Sequence, residues 1–128
     1  MKRILIAEDD RISQRLARTI VESLGHTAFV SPNGKHAYDA LKAENNFDLL
    51  ITDIMMPEMD GRQLIQTLRG DSELRKMPVI IMSAVVGIND IANLLELGAS
   101  RFLPKPLIQE ELQESICRCF GQPCRTIS

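Results

Sequence analysis

Short apolar runs alternate with stretches of helical period along almost the whole chain. The first run, Ile4–Ala7, is followed by Leu16, Ile20 and Leu24 at helical spacing, and Gly25 stands where that helix would end. Four further runs repeat the pattern, at Thr27–Val30, Leu49–Thr52, Val79–Met82 and Arg101–Leu103. Strands buried on both faces read as continuous apolar runs, and strict strand–helix alternation favours a parallel sheet with right-handed crossovers. The pattern therefore predicts a doubly wound α/β domain with five parallel strands and five flanking helices.

The size of the chain limits it to one hydrophobic core. Its 128 residues are 45% hydrophobic and 25% charged, as in an ordinary globular domain. Periodicity is lost after residue 120, so we predict one domain over residues 2–120 and a flexible tail, or the start of a linker, at 121–128.

Charge and hydropathy exclude two classes of partner. The net charge is −2 and no run of Lys or Arg forms a basic footprint, which argues against nucleic-acid binding. No apolar stretch approaches the roughly 20 residues of a membrane span, and Glu8 interrupts the first run before a signal-peptide core could develop. The three cysteines, at 117, 119 and 124, lack a fourth ligand for zinc and fit a reducing compartment. We therefore expect a cytoplasmic protein.

Polar side chains follow four of the five predicted strands. They are Glu8, Asp9 and Asp10 after the first run, Asp53 after the third, Ser83 after the fourth and Lys105 after the fifth. In open parallel sheets, functional groups gather beyond the carboxyl ends of the strands, where the strand order reverses. In the order 2-1-3-4-5 the first and third strands are neighbours, so Glu8, Asp9 and Asp53 are expected to converge.

Such a cluster of carboxylates indicates a bound cation. Two like charges about 4 Å apart repel by roughly 4 kcal/mol at an effective dielectric constant of 20, so the group must hold protons or bind a metal. Mg²⁺ suits a site with one or two carboxylates, several waters and a phosphate oxygen. A carboxylate beside Mg²⁺, with a lysine and a hydroxyl, is an arrangement for phosphoryl transfer, in which aspartate can be the covalent acceptor. We predict Asp53 as acceptor, with Lys105 and Ser83 stabilising the transferred group.

Each of these residues also has an interpretation without function. Asp10 is better explained as the cap of the following helix, and for Asp9 a cap and a ligand both stay open. Lys105 could be a solvated surface lysine, and Ser83 could merely satisfy a strand end. Asp53 is harder to explain in this way, because a carboxylate directly after an apolar strand needs a charge or a metal to meet it.

Four motifs in register carry a resemblance to a known family. They are Ile4–Asp10, Asp53–Gly61, Ser83–Ala84 and Gly98–Pro106. Together they resemble the receiver domain of two-component response regulators, of the chemotaxis-regulator-like kind with a flavodoxin-like fold. The resemblance covers residues 2 to 120, and motifs in register are far more specific than any one alone.

The resemblance implies a role for each residue of the site. Asp53 would be the phosphoacceptor, and Mg²⁺ would be bound by Asp9, Asp53, the backbone carbonyl of Met55 and, through a water, Glu8. Lys105 would contact the phosphoryl group, and its bond to Pro106 would be cis.

The resemblance also implies a switch between two conformations. Ser83 would be the switch hydroxyl and Phe102 the switch aromatic, although an aromatic on such a strand can equally be a core residue. Glu8, Ser83 and Phe102 replace the commoner aspartate, threonine and tyrosine, and none of these changes removes a required group. Met55 and Val85 are apolar where a polar side chain would orient a hydrolytic water, which predicts a long-lived phosphoryl form.

The leading hypothesis is a signalling module and not an enzyme. It would take its phosphoryl group from a sensor histidine kinase or a histidine phosphotransfer protein and act through the face of the fourth helix, fifth strand and fifth helix, as a monomer or a phosphorylation-dependent dimer. The alternative is a metal-dependent phosphohydrolase with Asp53 as nucleophile. Against it, Met55 stands where that chemistry wants a second acid. A flavin carrier of the same topology is disfavoured by the acidic first loop.

Overall fold

The computed structural model describes residues 2–44, 46–84 and 87–122. Its strands are β1 (Arg3–Ala7), β2 (Thr27–Ser31), β3 (Leu49–Asp53), β4 (Val79–Ser83) and β5 (Arg101–Pro104). Its helices are α1 (Arg11–Ser23), α2 (Gly34–Ala43), α3 (Gly61–Arg69), α4 (Ile88–Leu97) and α5 (Gln109–Cys119). Strand and helix alternate throughout, as the apolar runs predicted.

The strands form one parallel sheet in the order β2-β1-β3-β4-β5. Adjacent strands end at the same level: Ala7 pairs with Thr52, and Asp53 pairs with Met82. The carboxyl ends of the central strands therefore form one edge of the sheet. The predicted strand order and fold class are confirmed.

The two faces of the sheet are covered by different helices. Leu5 and Ala7 of β1 face a cluster that includes side chains of α2, α3 and α4, whereas Ile4 and Ile6 face a cluster with α1 and α5. Successive side chains of a strand point to opposite faces, so a strand covered on both sides must be apolar at every position. This is why β1 reads as an unbroken apolar run.

Local signals at the two ends of α1 behave as predicted. The Asp10 carboxylate accepts a hydrogen bond from the Ser13 amide at 2.9 Å and caps α1, which confirms the cap interpretation of Asp10. Gly25 follows α1 with a φ of 85°, and Gly98 follows α4 with a φ of 115°. Both lie in the left-handed region, which glycine adopts without steric cost.

Two sequence predictions concern residues outside the described ranges. Residues 123–128 of the predicted tail lie outside the described residues, and so does Val85. Among the helices of the described ranges, none combines the length and hydropathy needed to cross a membrane.

Candidate functional site

Three carboxylates meet at the carboxyl edge of the sheet. Glu8 and Asp9 follow β1, Asp53 ends β3, and one oxygen from each lies within 4.8 Å of the others. Glu8 is fully buried and Asp53 is 7% exposed, whereas Asp9 is exposed. A set of carboxylate oxygens open to solvent on one side suits a hard cation such as Mg²⁺. The structure thus brings together the three side chains that the strand order placed at the switch point.

Lys105 places its ammonium between two of these carboxylates. Its Nζ donates a hydrogen bond to Asp53 Oδ2 at 2.6 Å and a second to Glu8 Oε1. The backbone amide of Lys105 donates to the carbonyl of Ser83 at 2.8 Å, and the bond to Pro106 is cis. The side chain is 15% exposed, so Lys105 is not a freely solvated surface lysine.

Burial and the neighbouring charges shift the proton affinities of this cluster. Burial raises the pKa of Glu8 to about 7, although hydrogen bonds from Lys105 and from the Asp10 amide oppose the shift. Burial alone would lower the pKa of Lys105, but hydrogen bonds and charges of Asp53 and Glu8 outweigh it and raise that pKa. Lys105 therefore stays cationic at neutral pH, while Glu8 readily takes a proton.

The loop after β3 wraps around the Asp53 carboxylate. Asp53 Oδ1 accepts hydrogen bonds from the amides of Ile54 at 2.6 Å and Met55 at 3.4 Å. The Gly61 amide donates to the Ile54 carbonyl at 2.8 Å and closes the base of the loop. These bonds orient one oxygen of Asp53, while Oδ2 faces Lys105. The Met55 side chain is 75% exposed.

Ser83 and Phe102 lie on the strands next to Asp53. Ser83 ends β4 one residue beyond Met82, the partner of Asp53, and it is 3% exposed. Phe102, on β5, pairs with Ile81 of β4. Its side chain is partly buried against the core cluster that faces α2, α3 and α4. This position is compatible with both interpretations of Phe102, the switch aromatic and the core residue.

Two contacts of Glu8 were not predicted from the sequence. Lys105 contacts Glu8 as well as Asp53, although 97 positions separate Lys105 from Glu8. The amide of the Gln14 side chain donates to the backbone carbonyl of Glu8 at 2.5 Å. No sequence signal announces either contact, because a lysine after a strand and a glutamine on a helix usually belong to the surface.

Comparison with known proteins agrees with this geometry. The protein-family model of the response regulator receiver domain matches residues 4–117 of this chain. The transcriptional regulatory protein CrdR of Helicobacter pylori is 36% identical, over 94% of this chain and 55% of its own length. The polar-differentiation response regulator DivK of Brucella anthropi is 31% identical, over 94% of this chain and 97% of its own.

A solved receiver-domain structure has the same fold. The receiver domain of the sensor histidine kinase PA1611 from Pseudomonas aeruginosa superposes with a TM-score of 0.85 at 26% identity, covering 94% of this chain and 98% of its own. The matches give no support to a metal-dependent phosphohydrolase. The chain belongs to the family of response regulator receiver domains, the phosphoacceptor signalling domains of two-component systems.

Proposed function

We propose that this receiver domain accepts a phosphoryl group on the carboxylate of Asp53. The arrangement around that carboxylate carries the proposal: Glu8 and Asp9 offer oxygens within 4.8 Å, and the Lys105 ammonium lies 2.6 Å from Oδ2. Receiver domains obtain their phosphoryl groups from histidine kinases or histidine phosphotransfer proteins. The donor here is accordingly a phosphohistidine on such a protein.

The transfer exchanges one bond to phosphorus for another. An oxygen of Asp53 forms the new O–P bond while the N–P bond to the donor imidazole breaks, and the imidazole nitrogen keeps the electron pair. The transferring group carries negative charge on its equatorial oxygens, so it needs cations that are already in place. Lys105 supplies one such cation, held by its hydrogen bonds at the edge of the sheet.

Magnesium is the second cation of the proposal. Asp9, Asp53 and the backbone carbonyl of Met55 would hold it directly, and Glu8 through a water. When bound, the ion neutralises charge on the carboxylates and the phosphoryl oxygens. The receiver domain of PA1611 was solved with a magnesium ion coordinated in its active-site cleft, which supports the same ion for this acidic cluster.

The proposed output is a shift between two conformations. Ser83 would turn its hydroxyl toward the new phosphoryl group, and Phe102 would follow and change the surface of α4, β5 and α5. The position of Ser83 supports this step, because it is buried at the end of the strand next to Asp53. Phe102 lies on the next strand and is only partly buried, so its ring borders both the core and the surface.

The test is phosphorylation by acetyl phosphate in the presence of Mg²⁺, followed by intact mass measurement. We expect one alkali-labile phosphoryl adduct on the wild type, no adduct on Asp53→Asn, and loss of labelling in EDTA. Asp39→Asn, which removes an exposed aspartate of α2, is the matched control and should label normally. An unlabelled wild type, or full labelling of Asp53→Asn, would refute the proposal.

A second arm tests the donor. Incubation with a histidine phosphotransfer protein carrying radiolabelled phosphohistidine should move the label to the wild type and not to Asp53→Asn. Labelling by acetyl phosphate alone, after several such donors have failed, would contradict the assignment of a phosphohistidine donor.

Several parts of the proposal still rest on the sequence. We assign residues 2–120 to the receiver domain and 121–128 to a tail or linker, and we expect no activity beyond the domain's own phosphorylation and slow dephosphorylation. The cytoplasmic location, and the choice between a monomer and a phosphorylation-dependent dimer, stay predictions.

A further inference from the structure

The turn between β2 and α2, formed by residues 31–34 and called here the β2–α2 turn, touches both sides of the acidic cluster. On one side the Glu8 amide donates to the Ser31 carbonyl at 2.9 Å. On the other side the Gly34 amide donates to the Met59 carbonyl at 3.1 Å. One short turn therefore connects the backbone of Glu8 to residues 54–60, the loop between β3 and α3.

Gly34 allows this close approach because it has no side chain. A Cβ added to Gly34 would lie 2.2 Å from the Met59 carbonyl oxygen and 2.9 Å from its carbon. Gly34 has an ordinary helical backbone, so glycine is required here for space and not for conformation. The obstructing atoms belong to the backbone, so any larger residue must displace the loop or the start of α2.

The loop has little freedom to absorb such a displacement locally. Its base is closed by the bond from the Gly61 amide to Ile54, and the Met59 amide donates to the Pro57 carbonyl at 2.8 Å. Glu58 has a φ of 70°, in the left-handed region that a residue other than glycine adopts at a cost. We therefore expect a displacement of the Met59 carbonyl to shift the backbone of the rest of the loop, including Met55.

Hydrogen bonds hold the turn itself in place. The Asn33 side chain accepts from the His36 amide at 2.7 Å and caps α2, and His36 Nδ1 lies 2.8 Å from the Ser31 hydroxyl. Ser31 is buried, and so is Gly34. These bonds fix the position of Gly34 relative to the strand end that contacts Glu8.

We infer that the β2–α2 turn is a spacer that sets the distance between Glu8 and the loop carrying Met55, and thereby the affinity of the site for a divalent cation. Gly34 is a positioning residue in this scheme and contacts no ligand itself. The inference rests on the proposed function, because it takes the Glu8 carboxylate and the Met55 carbonyl as parts of one metal site.

The test measures Mn²⁺ binding by the full chain from the electron paramagnetic resonance signal of the free ion. We expect Gly34→Ala to raise the Kd by about tenfold to a hundredfold, the usual effect of disturbing groups that orient metal ligands. Gly70→Ala is the control, since a Cβ there meets nothing closer than 3.5 Å, and its Kd should equal that of the wild type. Far-UV circular dichroism checks that each variant is folded.

A second variant covers the case in which Gly34→Ala does not fold. Asn33→Ala loosens the turn without adding atoms near Met59, and we expect it to weaken Mn²⁺ binding several-fold. A folded Gly34→Ala that binds Mn²⁺ with wild-type affinity would overturn the inference. If Gly34→Ala does not fold, wild-type affinity in Asn33→Ala would overturn it instead. A wild type that binds no Mn²⁺ would overturn both the proposed metal site and the inference. The phosphorylation of Asp53 is tested by the separate labelling experiment, so failure of the inference can be told apart from failure of the proposed function.

Discussion

Replacing Glu8 with glutamine should make the metal-free domain more stable at neutral pH. Glu8 has an ordinary pKa of 4.5 in the unfolded chain and a pKa of about 7 in the folded protein, because burial disfavours its charge. A carboxyl whose pKa rises on folding favours the folded state fully below pH 4.5. That contribution is lost as the pH rises toward 7 and above, since the buried group must then ionise. The glutamine of Glu8→Gln has no carboxyl group to ionise, so the variant avoids the cost of burying a charge.

The size of the effect follows from the two pKa values. The interval from 4.5 to about 7 corresponds to about 3 kcal/mol in the free energy of unfolding, at about 1.4 kcal/mol for each tenfold change in proton affinity. Glu8 is fully buried, so solvent screening does not reduce this figure much. We expect the wild type and Glu8→Gln to differ little at pH 4, and the variant to be more stable by up to about 3 kcal/mol at pH 8.

Urea unfolding in EDTA, followed by far-UV circular dichroism, measures this difference. The chain has no tryptophan, so fluorescence is a poor probe. Glu96→Gln removes an exposed glutamate of α4 and serves as the control for the loss of one carboxylate. A difference between wild type and Glu8→Gln that is the same at pH 4 and pH 8 would refute the assigned burial cost. Added Mg²⁺ should stabilise the wild type more than the variant, because the metal favours the ionised carboxylate.

Three further predictions test other parts of the site. Lys105→Met should slow labelling of Asp53 by acetyl phosphate about 100-fold or more, measured by intact mass, because it removes a cation 2.6 Å from the Asp53 carboxylate. An unchanged rate would exclude the role proposed for Lys105. The phosphoryl form should be long-lived, and Met55→Asn should shorten its half-life several-fold by holding a water nearby; rapid loss of label that Met55→Asn leaves unchanged would contradict this. Gly61→Ala should lower the free energy of unfolding by about 1–3 kcal/mol in urea titrations, because its Cβ would lie 2.4 Å from the Asp53 carbonyl oxygen. Gly70→Ala should change that free energy by less than about 1 kcal/mol in either direction, because its backbone is helical and its Cβ would meet nothing closer than 3.5 Å. Equal losses in the two variants would contradict the close packing of Gly61.

The parts of the fold that could be predicted depend on local or periodic features. Buried strands such as β1 can be predicted from their apolar runs. The capping role of Asp10 can also be predicted, because its hydrogen-bond partner lies only three residues away. The meeting of Glu8, Asp9 and Asp53 could also be predicted, because it needs only the strand order and the rule that strand ends share an edge.

Contacts between distant parts of the chain could not be predicted in this way. The bond from Lys105 to Glu8 depends on the side-chain conformation after β5, and the packing of Gly34 on Met59 depends on how closely α2 approaches a loop. Neither leaves a periodic trace, since each arises from the relative placement of two elements. Phe102 shows the same limit, because its position on β5 does not by itself distinguish a switch from a core residue.

The amino-acid sequence alone therefore determined the α/β architecture and the edge where the polar groups collect, and it is the basis for proposing Asp53 as the acceptor. These follow from hydrophobic period, chain order and residue chemistry, which are properties of short segments. Only the tertiary structure decided that Lys105 contacts two carboxylates, that Glu8 is buried so that its pKa is raised, and that the β2–α2 turn contacts both Glu8 and the loop after β3. Solvent exclusion and close packing act between remote residues, so they appear only once the chain has folded.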